Sequence, residues 1–256
     1  MSESPETAPA APAGPEMSVF EHLEELRWRI IKSIGALAVT ATFVFIFNQP
    51  VILWLEGPLT GQTGFLGGPP QRAIELIFTS PAEYFVAVLK VALLGGIYLA
   101  LPVILYQILA FISPGLHAHE RRWALPLVAG SFVFFTLGML FSYTMLLPAG
   151  LQFLVGFAPA EIKPLLSVGK YLGFAAGLIF AAGFAFLLPL FLLGLSVIGV
   201  ATSYSLAKYR RYAFIGAFVL AAILTPSIDI FTQVMMAGAL YLLFEFGLVL
   251  IRLTGK

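Results

Sequence analysis

Six long apolar runs constrain this chain more than any other feature of its sequence. About 20 consecutive apolar residues are needed to cross the hydrocarbon core of a bilayer, about 30 Å thick, as an α-helix. The runs lie near residues 29–49, 83–110, 123–149, 169–195, 211–225 and 230–251. They are continuous rather than alternating, and only 11% of the residues are charged, too few to cover a water-facing surface. We therefore predict an all-α integral membrane protein with six transmembrane helices, its surface in contact with the lipid bilayer.

Lysine and arginine are distributed unevenly between the two sides of these runs. If the N-terminus is cytoplasmic, the external segments hold Arg72, Lys163 and Lys170, and the cytoplasmic segments hold ten basic residues. The ten are Arg27, Arg29, Lys32, Arg121, Arg122, Lys208, Arg210, Arg211, Arg252 and Lys256. Cytoplasmic segments of membrane proteins carry such an excess. The bias predicts that both termini are cytoplasmic, which an even number of spans also requires.

The parts of the chain outside the runs predict a simple organisation. Residues 1–17 are rich in Pro, Ala and Glu and have no basic stretch followed by an apolar one, so we expect a disordered cytoplasmic tail rather than a signal peptide. Residues 18–256 form one six-helix membrane domain. The segment 50–80, rich in Gly and Pro, predicts an irregular external cap and allows a short helix over 72–77. The net charge of +1 gives no reason to expect nucleic-acid binding.

The last two runs are short. Only the residues 212–224 separate Arg211 from Thr225, a length of about 20 Å as a helix. The next run meets Glu245 after about 22 Å. They predict a tight hairpin of two short helices, although a Glu245 that reaches the membrane surface would allow the sixth helix an ordinary length. Prolines in or near the runs predict kinks, at Pro102, Pro126, Pro148 and Pro189.

The segment 18–30, SVFEHLEELRWRI, predicts an amphipathic helix at the cytoplasmic surface. Acidic residues are unexpected where a cytoplasmic helix enters a membrane. Local ion pairs would explain them, because Glu25 precedes Arg29 by four residues and Glu24 precedes Arg27 by three.

The segment 102–122, PVILYQILAFISPGLHAHERR, joins the second run to the third. Arg121 and Arg122 contribute to the cytoplasmic excess of basic residues. Glu120 places a carboxylate at the membrane surface, where an acid at the N-terminus of the third helix would interact favourably with the helix dipole. That role is sufficient on the pattern alone.

Other ionisable or polar groups lie in or beside the runs, where such groups are functional candidates. Glu83 and Lys90 are seven residues apart, about two turns along one helix face, and either screen each other or act beneath the external cap. Asp229 is placed to cap the sixth helix, and Gln233 lies one turn further on.

These segments together resemble the signatures of the TatC family of protein translocase components. The matching stretches follow the order of the family. They are HLEELRWR at 22–29, SPAEYF at 80–85, the segment 102–122, LTPSIDIFTQ at 224–233 and YLLFEFG at 241–247. The resemblance implies six helices in a concave, glove-like wall, with short fifth and sixth helices and both termini cytoplasmic, in the plasma (inner) membrane.

The resemblance also implies a receptor rather than an enzyme, one that binds signal peptides with two adjacent arginines. A carboxylate pairs bidentately with a planar guanidinium, a geometry that the lysine ammonium cannot copy. By motif match, the residues that bind the signal peptide are Glu25, Glu120, Leu23, Leu26, Arg27, Phe111, Arg121 and Arg122.

The same resemblance implies partners and an energy source. Single-span subunits of the TatA and TatB type would contact the region of Thr225, Pro226, Asp229 and Gln233. The receptor would form homo-oligomers and move folded proteins with the proton motive force, without a cofactor. Glu83, Lys90 and Glu245 remain polar groups in or near the membrane with no assigned role.

One departure from the family and one alternative function remain. Many TatC proteins have a Glu in the fourth helix where this chain has Leu187, so a mechanism that needs that carboxylate is in doubt here. The alternative is an ion-coupled secondary transporter or channel for a small solute. It predicts an internal repeat and polar ligands at the midplane of the membrane, and the sequence shows neither clearly.

Overall fold

A computed structural model describes residues 19–59, 75–112, 124–157, 159, 164–225 and 229–253. The predicted disordered tail, residues 1–17, lies outside these ranges. The helices are α1 Val19–Ile46, α2 Asn48–Glu56, α3 Glu83–Ile112, α4 Ala124–Phe141, α5 Leu147–Gly156, α6 Val168–Phe186, α7 Leu188–Val197, α8 Ser203–Lys208, α9 Arg210–Leu224 and α10 Ile230–Leu253. Two short strands are β1 Glu75–Ile77 and β2 Leu165–Ser167.

Within the described ranges, five helical stretches are long and apolar enough to cross a membrane. They are Phe20–Ile46, Glu83–Phe111, Leu125–Gly156, Val168–Val197 and Ile230–Leu253. The prediction of an all-α membrane protein is confirmed. The helix α9, which corresponds to the predicted fifth span, has only 15 residues, about 22 Å, as the sequence indicated. Six spans and two cytoplasmic termini stay predictions.

The last hairpin settles the length of the final helix. The helix α10 continues through Glu245 to Leu253, so the ordinary length is observed and a short sixth helix is not. The carboxylate of Glu245 accepts a hydrogen bond from Arg210 Nη2 at 2.7 Å and from the Tyr241 hydroxyl at 3.3 Å. Because the carboxylate has these partners, the helix does not have to end where the charge occurs.

Two of the predicted proline kinks coincide with breaks in helical geometry. A π-helical turn, Ser142–Leu146, joins α4 to α5, and Leu147 N–H donates to the carbonyl of Ser142 just before Pro148. The boundary between α6 and α7 falls at Leu187, two residues before Pro189. Such turns supply partners for the carbonyls that a proline leaves without an N–H donor.

The helices α1 and α3 pack antiparallel at very short range. A Cβ atom on Gly96 would lie 2.6 Å from the Ala41 Cα atom, so only glycine fits at this crossing. At the same point the Thr40 hydroxyl donates to the Gly96 carbonyl at 2.8 Å. Small residues that let helix backbones approach are typical of packing in membranes.

The predicted external end of the molecule is held by hydrogen bonds from tyrosine. The hydroxyl of Tyr143 donates to the Trp54 carbonyl at 2.7 Å, and that of Tyr171 donates to the Leu55 carbonyl at 2.6 Å. These bonds add donors for two carbonyls at the C-terminal end of α2, where the helical ladder runs out; the Trp54 carbonyl also accepts from the Gly57 N–H.

A parallel pairing of β1 with β2 lies beside this end. Residues 75–77 are therefore a strand, and the helix that the sequence allowed over 72–77 is wrong for that part. The pairing joins segments about 90 residues apart in the chain, and no local pattern indicates it.

Candidate functional site

Polar and aromatic side chains gather where α1 begins and α3 ends. The rings of His22 and Phe111 stack with their centroids 4.3 Å apart and their planes 11° from parallel. Beside them lie Glu25, Arg29 and Gln107, linked to one another by hydrogen bonds. We call these five residues the α1–α3 cluster.

Glu25 is the central acid of the α1–α3 cluster. Its Oε1 atom accepts hydrogen bonds from Arg29 Nε at 3.0 Å and from Arg29 Nη2. Arg29 Nη1 in turn donates to Gln107 Oε1 at 3.4 Å, which ties the pair to α3. The local pairs expected from the sequence are both present, since Arg27 Nη1 also lies 3.2 Å from Glu24 Oε1 on the exposed face of α1.

The second oxygen of Glu25 is in a different situation. Oε2 is shielded from solvent and has no hydrogen-bond partner among the described residues; the Nδ1 atom of His22 lies 3.6 Å away. A charged acceptor without a donor is unfavourable. Oε2 therefore has unused acceptor capacity, and a strong donor that displaces its neighbour His22 would bond to it while Arg29 keeps the other oxygen in place.

The other predicted residues of this region fall into two groups. Leu23 and Arg27 are exposed on α1, and Leu26 is half-buried. Phe111 lies in the α1–α3 cluster. Outside the described residues are Glu120, Arg121 and Arg122. The meeting of the two predicted carboxylates in one site therefore stays a prediction.

Glu83 lies at the opposite end of α3 and is saturated with hydrogen bonds. Oε2 accepts from the backbone N of Thr79 at 2.6 Å and from its hydroxyl at 2.8 Å. Oε1 accepts from Gly169 N at 2.9 Å and from the Ser167 hydroxyl. Glu83 thus joins the start of α3 to the start of α6. The sequence offered mutual screening with Lys90 as one role for this acid, but the carboxylate is held in place by these hydrogen bonds instead.

The residues expected to contact partner subunits lie in or beside the segment 225–229, which joins α9 to α10 and which we call the α9–α10 turn. Thr225 is buried and donates to the Ala221 carbonyl at 2.8 Å. Asp229 Oδ1 accepts from the backbone N of Thr232 at 2.6 Å, which is the predicted helix cap. Gln233 Nε2 lies 3.5 Å from the Phe218 carbonyl on α9. Pro226 lies outside the described residues.

Sequence reasoning missed the contacts that join separate helices. Nothing in the spacing of residues indicates that Gln107 meets Arg29, or that His22 stacks on Phe111. The spacing of Arg210 and Glu245, 35 residues apart, does not indicate their ion pair either. No group of three or more His, Asp or Glu side chains in the described ranges could hold a metal ion.

Comparison with known proteins gives a consistent result. The family model described as "Sec-independent protein translocase protein (TatC)" matches residues 21–238. Proteins of that name from Synechocystis sp. and Aquifex aeolicus are 40% and 41% identical; the alignments cover 99% and 94% of this chain and 96% and 97% of theirs. A crystal structure described as the twin arginine translocase receptor TatC, determined in the detergent DDM, matches with a TM-score of 0.76 and 40% identity over 90% of this chain and 99% of that chain.

Proposed function

Because this chain belongs to the TatC family of Sec-independent protein translocase components, we propose that it is the receptor for twin-arginine signal peptides, with Glu25 as one docking carboxylate. Membership makes the chain a multi-pass membrane component of a protein translocase rather than an enzyme, as the sequence predicted. It also leaves no reason to keep the alternative of a small-solute transporter. The related crystal structure, described as a receptor, supports the narrower role.

The single observation that carries the proposal is the unsatisfied oxygen of Glu25. A guanidinium of the signal would donate to Oε2, while Arg29 and Gln107 hold the carboxylate in one orientation. Arg29 donates to Oε1 through both Nε and Nη2, and a signal guanidinium would engage Oε2 in the same way with two N–H groups from one rigid plane, a geometry that the lysine ammonium lacks. The preference for arginine over lysine would then arise from geometry as well as from charge.

Glu120 would provide the second carboxylate of the receptor. The segment that carries it follows Phe111, and the stack of Phe111 on His22 brings the end of α3 to the start of α1. Two acids held in this way would engage adjacent arginines together. Leu23, exposed on α1, and the half-buried Leu26 would contact the apolar part of the signal.

The proposed orientation puts this site in the cytoplasm. The α1–α3 cluster shares its end of the molecule with Arg27 and Lys32, and the basic residues of α8, α9 and the end of α10 carry the same positive-inside signal. With α9 as the short fifth span, the chain would cross the plasma (inner) membrane six times and have both termini in the cytoplasm.

The partner subunits would meet the receptor at the α9–α10 turn. We expect Gln233 to exchange its long contact with the Phe218 carbonyl for a polar side chain of a single-span TatA or TatB-type helix. The receptor would form homo-oligomers and use the proton motive force. With Leu187 in place of the usual glutamate, these steps would proceed without that carboxylate. Gln152, an exposed glutamine on α5, provides the control. Loss of co-purified single-span partners in Gln233→Leu, but not in Gln152→Leu, would support this contact, and unchanged co-purification would count against it.

Photo-crosslinking to a signal peptide tests the receptor role directly. Glu25→Gln should reduce crosslinking to a twin-arginine peptide by roughly tenfold, since a charge-assisted hydrogen bond is lost. Glu24→Gln is the matched control: it removes an acid one residue away that pairs with Arg27 on the exposed face. Glu25→Lys and Glu120→Lys should abolish crosslinking in folded protein. Unchanged crosslinking in both lysine variants would exclude the docking site.

A further inference from the structure

An open cavity of about 480 Å³ lies between α3 and α6, at the end of the molecule opposite to the α1–α3 cluster. Its lining combines polar residues, among them Thr79 and Ser167, with the apolar side chains of Val86 and Phe174. Two lysines, Lys90 and Lys170, also line the cavity. Its lining includes no residue of the α1–α3 cluster or of the α9–α10 turn.

Lys90 is a cation in an unfavourable position. It lies seven residues, about two turns, inside the stretch Glu83–Phe111, which is long and apolar enough to cross a membrane, and its side chain is exposed on the molecular surface. Within the described ranges, neither Lys90 nor Lys170 has a carboxylate within 4.0 Å, whereas the arginines Arg27, Arg29 and Arg210 all do. A charge at this depth requires a partner or water, because the hydrocarbon core cannot solvate it.

Glu83 lines the same cavity but is not available as that partner. Its two oxygens are directed at the donors of Thr79, Ser167 and Gly169. A rotation toward Lys90 would leave the N-terminal N–H of α6 and the Ser167 hydroxyl without their acceptor. The lining of the cavity therefore contains two cations and one acid whose oxygens already accept hydrogen bonds. Its net positive charge favours the binding of an anion.

The cavity also favours a ligand that is amphipathic. Phe174 and Val86 give the lining an apolar wall beside its polar groups, and a Cβ atom on Gly173 would have nothing within 4 Å, so there is open space at this wall. We infer that the cavity binds the phosphate of an acidic phospholipid, held between Lys90 and Lys170, with an acyl chain along the wall. A small inorganic anion would gain nothing from the apolar wall or from the depth of Lys90.

The leaflet that supplies the lipid follows from the orientation of the chain. With both termini cytoplasmic, the cavity faces the external leaflet. The anionic lipids that attract basic segments are concentrated in the cytoplasmic leaflet, so this general attraction does not explain two lysines at the external end. The binding itself does not depend on this orientation or on the proposed receptor role.

A photoactivatable phosphatidylglycerol offered to the purified, delipidated full-length chain tests the inference, with the crosslinked peptides identified by mass spectrometry. Crosslinks are expected on the peptides of α3 and α6 that line the cavity. Lys90→Gln and Lys170→Gln should each weaken this labelling by about tenfold, and Lys90→Arg should retain it. Gly173→Leu should also reduce it with every charge intact. Lys208→Gln, at the other end of the molecule, is the matched control and should leave it unchanged.

Competition distinguishes the sources of the phosphate. Unlabelled phosphatidylglycerol should compete with the label, and neither phosphatidylcholine nor inorganic phosphate should do so at equal concentration. Labelling of α3 and α6 that persists in Lys90→Gln, Lys170→Gln and Gly173→Leu would overturn the inference. Equal competition by inorganic phosphate would overturn it in favour of a free anion, and equal competition by phosphatidylcholine would overturn it in favour of a nonspecific lipid surface. Size-exclusion profiles establish that each variant is folded.

Discussion

His22 and Phe111 lie on different helices, yet their rings stack with a centroid separation of 4.3 Å. The stack fixes the first turns of α1 against the last turn of α3. Glu25, one turn after His22, is positioned by the same contact and by the hydrogen bond from Arg29 to Gln107. The orientation of the proposed docking carboxylate thus depends on packing between two helices.

Phe111→Ala should weaken binding of a twin-arginine peptide without unfolding the protein. A stacked aromatic pair contributes about 0.5–1.5 kcal/mol beyond the area that it buries, so a loss of roughly two- to tenfold in affinity is expected. Peptide titration measures the affinity, and hydrogen exchange should show faster opening of residues 20–29. Phe111→Tyr keeps the ring and should retain both properties. Wild-type exchange rates in Phe111→Ala would show that the stack does not hold α1.

Glu83→Gln should lower the thermal midpoint of unfolding by several degrees. The carboxylate accepts hydrogen bonds from Thr79, Ser167 and Gly169, and an amide replaces one of its acceptor oxygens with a donor that faces other donors. Peptide binding at the opposite end should be unchanged. Glu24→Gln, on the exposed face of α1, is the control. Equal midpoints for the two variants would contradict a structural role for Glu83.

Gly96→Ala should destabilise the packing of α1 on α3. The new Cβ atom would lie 2.6 Å from the Ala41 Cα atom, and overpacking of this kind costs about 1–3 kcal/mol. Gly35→Ala makes the same change on α1 where no atom lies within 4 Å, and it should be neutral or stabilise by roughly 0.5–1 kcal/mol through helix propensity. Denaturant unfolding in detergent compares them. A Gly96→Ala variant as stable as Gly35→Ala would show that the helices can separate without loss.

Features set by neighbouring residues could be predicted from the sequence. The apolar runs indicated an all-α membrane fold, and the spacing of Glu25 and Arg29 indicated their ion pair. The cap by Asp229 followed from its place before α10. Each of these depends on a helical period or a helix end, and both are properties of a few consecutive residues.

Contacts between distant segments could not be predicted in the same way. No sequence pattern places Ser167 on Glu83, because their meeting requires α3 and α6 to start side by side. The pairing of β1 with β2 has the same origin. The sequence alone does not decide the length of the last helix for the same reason, because the charge of Glu245 suggests a helix end unless Arg210 lies beside it.

A double-mutant cycle on Arg210 and Glu245 should measure the coupling between α9 and α10. Their atoms Nη2 and Oε2 are 2.7 Å apart, but the side chains are 46% and 30% exposed, so solvent screening limits the expected coupling to about 0.2–1 kcal/mol. The variants are Arg210→Gln, Glu245→Gln and the double variant, compared by unfolding in detergent at low and high salt; the coupling should decrease as salt increases. Arg211 is the matched partner for a control cycle with Glu245, since its guanidinium lies over the Tyr212 ring at 5.0 Å instead. Equal coupling in both cycles would mean that general charge attraction, and not this ion pair, connects the two helices.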